Sequence, residues 1–244
     1  MARRFRPGAR AAAPKLPSEN LRRMRERSVA VIGGGVAGLS CARRLQELGV
    51  ASVVYDTGKR APGGRASSRL WRGAVVDHAV QYAGASTAEF ADVLRGLEEE
   101  GRLRRWGDDR VGALECGAFT PSAASPHPPR YIGGVGSTEG MATFAAWASV
   151  GLDVRQDVWV PPNGGLRRSH GAWLVGGGSR ATTSPVPYTD VVIAHNGKCA
   201  ERITSRTPAR NVHALLRARF ARKLRSGALG GGRMTLCSVY SLLL

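Results

Sequence analysis

Glycines at positions 33, 35 and 38, followed by Asp56, are residues whose types and spacing describe a definite chemistry. They fit G-x-G-x-x-G with an acid roughly twenty residues on, a pattern that holds the pyrophosphate and ribose of a dinucleotide. Each residue type has a physical task. Gly33 permits a tight turn, Gly35 removes a side chain so that the backbone can approach the pyrophosphate, and Gly38 lets a helix pack closely on a sheet. The amides of Val36 and Ala37 open that helix, where the helix dipole favours the negative charge of phosphates. Asp56 is expected to accept hydrogen bonds from the adenosine ribose hydroxyls and to repel a 2′-phosphate, which disfavours NADP.

That chemistry requires a strand, a helix and a strand in register, and the flanking sequence supplies them. Ser28–Ile32 (SVAVI) is a short apolar run rich in β-branched residues, the signature of a buried parallel strand. Residues 36–48 carry Leu39, Ala42, Leu45 and Leu48 at helical spacing, and Gly49 stops the helix. Ala51–Tyr55 (ASVVY) is a second strand that delivers Asp56. The spacing therefore predicts an α/β chain opening with a Rossmann-type βαβ unit.

Further along, 61–65 (APGGR) reads as a loop, followed by two short strand-like runs around Arg72-Gly73. Residues 87–100 are predicted helical, with Phe90, Val93, Leu94 and Leu97 on one face. Strands are predicted at 111–119, 153–160, Ala172–Val175 and 188–194, and helices at 138–148 and 211–224. Pro- and Ser-rich 122–129 and turn-rich 161–169 read as loops.

The formal net charge is +18, and its placement matters more than its size. Residues 1–27 and the acid-free tail after Glu201 carry the excess, while 28–201 is close to neutral. Nucleic-acid binders usually show a basic face on a folded domain with aromatics interleaved. Here the aromatics sit mostly in the neutral middle, so only weak, salt-sensitive binding to nucleic acid is expected. Residues 1–27, rich in Arg, Ala and Pro, read as a basic extension that fits a chloroplast or other organelle transit peptide in part. Cys41, Cys116, Cys199 and Cys237 form no C-x-x-C pair, which argues against a zinc or thioredoxin-type site. No apolar run approaches the roughly 18–20 residues of a membrane span.

FAD and NAD share this fingerprint, and the residues read alone leave the choice between them open. The run VAVIGGGVAGLSCARRLQELG, the following VVYD and the GGR at Gly63-Gly64-Arg65 resemble the opening of the flavin-containing amine oxidase superfamily. Asp77-His78-Ala79-Val80-Gln81-Tyr82 resembles the D-x-G-x-Q-Y segment of its renalase-like branch, with Ala79 where that branch has glycine. Residues 131–141 (YIGGVGSTEGM) resemble its glycine-rich stretch ending in Gly-Met before a helix, and 190–200 (DVVIAHNGKCA) a strand and turn of its plant and algal members.

The resemblance covers about 28–203 and implies an FAD-binding Rossmann-type domain (28–205) carrying part of a β-rich substrate domain. It implies that Gly64 and Arg65 lie against the FAD phosphates or ribose, where a guanidinium fork makes bidentate contacts. It places Gln81 and Tyr82 near the isoalloxazine ring and gives the backbone of Val158 to the adenine. The implied reaction is hydride transfer to flavin from a C–H next to nitrogen, with reoxidation by dioxygen, on a small amine or dihydronicotinamide-like substrate. The basic, Gly-rich stretch 206–244 leaves that pattern, so the chain is expected to be C-terminally incomplete relative to the family.

Two alternatives stand beside this reading: an NAD-dependent oxidoreductase, and a non-catalytic or truncated dinucleotide-binding remnant. Other chemistry-bearing residues have plain structural readings. His78 and His127 read as loop histidines, and Cys41 reads as helix packing. His195-Asn196-Gly197-Lys198 follows a strand end, where sites of open α/β sheets lie, but Asn-Gly is also a turn signal.

Overall fold

A computed structural model describes residues 26–107, 112–121, 128–134, 140–176 and 186–220. The expectations for residues 1–25, for 122–127 (with His127), for Cys237 and for everything after 220 fall outside those residues. The chain divides into two compact units, one of residues 68–143 and one of residues 24–67 joined with 144 onward.

The second unit is built on a parallel sheet. Strand β1 (Ser28–Ile32) leads into helix α1 (Val36–Glu47) and back to β2 (Ala51–Tyr55). With β10 (Asp153–Arg155) and β14 (Asp190–Ile193) these strands form one sheet in the order β10-β2-β1-β14, every pair parallel. Alternation along β1 explains why it is buried from Val29 to Ile32. Val29 and Val31 face one side and pack with Ala42 of α1, Val50 and Val54. Ala30 and Ile32 face the other side and pack with Tyr55, Leu166, Val175, Tyr188 and Ile203. A sheet covered on both faces needs a continuous apolar strand, and SVAVI supplies one.

The second face is covered by an antiparallel meander of β11 (Leu166–Ser169), β12 (Ala172–Val175) and β13 (Val186–Tyr188), and by helix α4 (Gly197–Thr204). Helix α5 (Arg210–Phe220) packs against α4. Helix α3 (Ala142–Ser149) packs through Ala145 and Ala148 against Leu39.

The first unit contains seven short strands and one longer helix among its described residues. Hairpin β3 (Arg69–Trp71) and β4 (Ala74–Val76) is followed by β5 (Ala83–Gly84), α2 (Ala88–Glu99) and β6 (Leu103–Arg105). A second hairpin, β7 (Gly112–Glu115) and β8 (Ala118–Pro121), precedes β9 (Arg130–Gly133), which pairs with both β5 and β6. Thr87 caps α2 by accepting the Phe90 amide, and Leu94 and Leu97 are its buried face.

Four expectations are corrected. The strand expected over 111–119 is a hairpin, because Cys116 and Gly117 both take positive φ (49° and 80°) and turn the chain back. The loop expected over 161–169 contains β11 for the same reason: His170 and Gly171 (φ 47° and 79°) return it onto β12. The strand expected over 153–160 ends at Arg155, and Asp157 has φ 54°. The helix expected over 138–148 begins at Ala142, where Asp77 and Ser68 accept the Met141 and Ala142 amides.

Candidate functional site

Strand β1 ends at Ile32, and the chain turns at Gly33, whose φ of 113° suits glycine and whose amide donates to the Tyr55 carbonyl at 2.8 Å. A Cβ on Gly38 would lie 1.8 Å from the Gly33 carbonyl oxygen, so α1 meets the loop with no room for any side chain. A Cβ on Gly35 would meet nothing nearer than the Gly63 carbonyl at 3.9 Å, leaving open space over that backbone. Gly35 is also the N-cap of α1 and offers no side-chain acceptor to the first turn at Val36 and Ala37. An uncapped, sterically open helix start is what a diphosphate needs. Gly33 thus makes the turn, Gly38 admits the close helix packing, and Gly35 leaves its backbone uncovered.

Asp56 is 7% exposed, and both its carboxylate oxygens accept backbone amides: Gly34 at 2.7 Å and Gly58 at 2.5 Å. The acid therefore props the glycine loop from the end of β2. Each oxygen retains a second lone pair for a hydroxyl donor.

The GGR loop packs directly on the glycine loop. The Gly63 amide donates to the Gly34 carbonyl at 2.8 Å, and Gly35 and Gly63 form a parallel bridge. A Cβ on Gly64 would approach the Gly35 Cα to 3.3 Å. Arg65 follows in a single 3-10 turn (Gly64–Ala66) and is exposed, with no ion pair among the described residues. Its guanidinium is available to an anion.

Val158 stands beside Asp56, but its amide is already given to the Asp56 carbonyl at 2.9 Å. Only its carbonyl and side chain remain to face a base. Gln81 and Tyr82 belong to the other unit, in the segment before β5. There Tyr82 is 45% exposed, with Trp106 tilted against it and the Arg130 guanidinium over its ring.

A cavity of about 520 Å³ opens over the ends of β1 and β2, on the sheet face opposite α1. Ile32 and Tyr55 line it from those strand ends, Val158 and Trp159 from the segment after β10, and His195 from the loop after β14. Because β10 and β14 are the outer strands of the sheet, the walls come from opposite edges. Burial pushes the His195 imidazole below its usual range, and the nearby Asp56 carboxylate partly opposes this.

The segment 195–198 stands out in the sequence as a strand-end position, but the wall it helps to form does not. Asn196-Gly197 was expected to turn the chain, but it starts a helix: Asn196 is the N-cap of α4 and accepts the Cys199 amide at 3.0 Å. Lys198, on that first turn, does not line the cavity, whereas His195 and Cys199 do. The signal was present, since Asn is a preferred N-cap. Among the described residues no group of three or more His, Cys, Asp or Glu could hold a metal, and no helix is long and apolar enough to cross a membrane.

Residues 31–97 match the NAD(P)-binding Rossmann-like domain family. Among solved structures, a double mutant of putrescine oxidase, made in a redesign of its cofactor binding, superposes with a TM-score of 0.53 at 15% identity. The fold is shared with putrescine oxidase. The wild-type enzyme bound to putrescine gives a TM-score of 0.51, also at 15% identity. In both cases the match covers 78% of this chain and 63% of the other, so this chain spans less than two thirds of their length.

Proposed function

We propose that this chain carries the nucleotide-binding part of an FAD-dependent oxidoreductase of the amine oxidase type, within its renalase-like branch. The observation that carries the reading is the packing of Gly63-Gly64 onto Gly34-Gly35 beneath an open, uncapped start of α1. One glycine-rich loop marks any Rossmann site. A second, delivering an exposed Arg65 beside it, adds a cation for the phosphates of a long dinucleotide. The likeness of fold to putrescine oxidase supports the same direction.

In this reading the backbone at Gly35, Val36 and Ala37 holds the diphosphate, and Arg65 binds its oxygens. Asp56 fixes the loop and accepts a ribose hydroxyl. The flavin, when bound, supplies the redox chemistry, so no protein nucleophile or metal is required. The substrate class is a small amine or a dihydronicotinamide, oxidised at a C–H next to nitrogen. Anaerobic mixing of the FAD-loaded chain with members of both classes tests this. Bleaching of the flavin absorbance by one of them is expected, and a loaded flavin that no member of either class bleaches would contradict the assignment.

The match over 31–97 to an NAD(P)-binding family favours NAD as the second reading, since the glycine loop and Asp56 suit either cofactor. Competition decides between them: FAD binding that NAD cannot displace supports the first reading, and tight NAD binding with none for FAD supports the second.

A further inference from the structure

The dinucleotide reading gives the His195 side chain no task. His195 lines the cavity, and its Cδ2 would lie 3.5 Å from a Cβ on Gly33, the first residue of the glycine loop. It is thus a titratable side chain that reaches the loop from the β14 edge. We infer that His195 is a binding residue of the nucleotide site, and that its imidazole takes up a proton when an anionic dinucleotide binds. The inference rests on the dinucleotide reading of the glycine loop.

The charge balance around the ring argues for it. The titratable and charged groups that share its surroundings are Asp56 and Tyr55 at the end of β2, and Cys199, Glu201 and Arg202 on α4. The segment after β10 lines the cavity with Val158 and Trp159, neither of which titrates near neutrality. Burial outweighs the opposing pull of the Asp56 carboxylate, so the empty site disfavours the imidazolium.

A dinucleotide diphosphate adds two negative charges that do not titrate near neutrality. Opposite charge at close range favours the imidazolium. The proton comes from solvent and sits on the ring nitrogen that carries none in the neutral form. The resulting cation then has two anionic neighbours, the ligand and Asp56. A histidine at this point therefore couples occupancy to pH, which neither a glycine loop nor an aspartate does between pH 6 and 8.

Titration calorimetry of FAD, and separately of ADP-ribose, in buffers of differing ionisation enthalpy measures the coupling. Net proton uptake is expected on binding near neutrality, with affinity about tenfold tighter at pH 6 than at pH 8. H195Q and H195N should bind with no uptake and with a pH profile flat to about twofold. Binding by the native chain without uptake would overturn the inference while leaving the dinucleotide reading intact, and so would uptake that persists in both variants. Failure of both ligands to bind the native chain at any pH would remove the dinucleotide reading itself, and this inference with it. Should both variants fail to fold, histidine ring resonances of the native chain decide: one must titrate at higher pH with FAD bound than without, and no such shift would overturn the inference.

Discussion

The Asp56 carboxylate accepts the Gly34 amide at 2.7 Å, and through that bond the end of β2 holds the glycine loop at the end of β1. The same carboxylate accepts the Gly58 amide, so one buried side chain organises two backbone segments. Asp56→Ala should leave two amides without their acceptor and cost about 2–6 kcal/mol, at roughly 1–3 kcal/mol per stranded group. Denaturant melts measure this, and a loss under about 0.5 kcal/mol would show that the loop holds its shape without the acid.

Gly35 and Gly38 separate binding from folding. Gly35→Ala meets open space, so its stability should stay within about 0.5 kcal/mol of native while dinucleotide affinity falls at least about tenfold. Gly38→Ala drives a methyl into the Gly33 carbonyl and should destabilise by about 1–3 kcal/mol or more. Paired melting and binding measurements on the two variants check both arms. Equal loss of stability in the two would contradict the division of labour.

Tyr55 and Tyr188 share a buried hydrogen bond of 2.7 Å between their hydroxyls, with the rings edge to face. Burial first, and the Tyr55 hydroxyl second, push the Tyr188 phenol above its usual range. The folded state therefore favours the neutral phenol. The stability it contributes is complete below the ordinary tyrosine pKa of about 10 and is lost as pH rises above it. Tyr188→Phe should flatten that alkaline loss and cost about 1–2 kcal/mol at neutral pH by stranding the Tyr55 hydroxyl. Double substitution to Phe should recover part of the cost, which a double-mutant cycle reads directly.

Asn196 caps α4 through the Cys199 amide, and α4 forms one wall of the cavity. Asn196→Ala should cost about 1 kcal/mol by the usual value of a cap. Thermal melts check this, and an unchanged midpoint would mean that packing against α5 alone holds the helix.

The βαβ unit was fully legible because three signals agreed: an apolar β-branched run, a 3.6-residue period, and glycines at fixed offsets. Ser28–Ile32 and Ala51–Tyr55 match the observed strands residue for residue. Legibility failed where a turn depended on a residue other than glycine taking positive φ. Cys116 and His170 do so, each before a glycine, and each converts an expected strand or loop into half of a hairpin. Arg72-Gly73 has the same geometry and was read correctly, because short apolar runs flank it on both sides. The cavity wall around His195 was only partly legible, for another reason. It depends on β10 and β14 being the outer strands, and strand order is tertiary information that periodicity does not carry.

The central claim is that Gly33–Gly38, Asp56 and the GGR loop hold FAD. The direct measurement is an absorbance spectrum of the purified chain after incubation with FAD and removal of the excess. Retained flavin bands that denaturation releases are expected, and their loss in Gly35→Ala. A colourless native protein would contradict it.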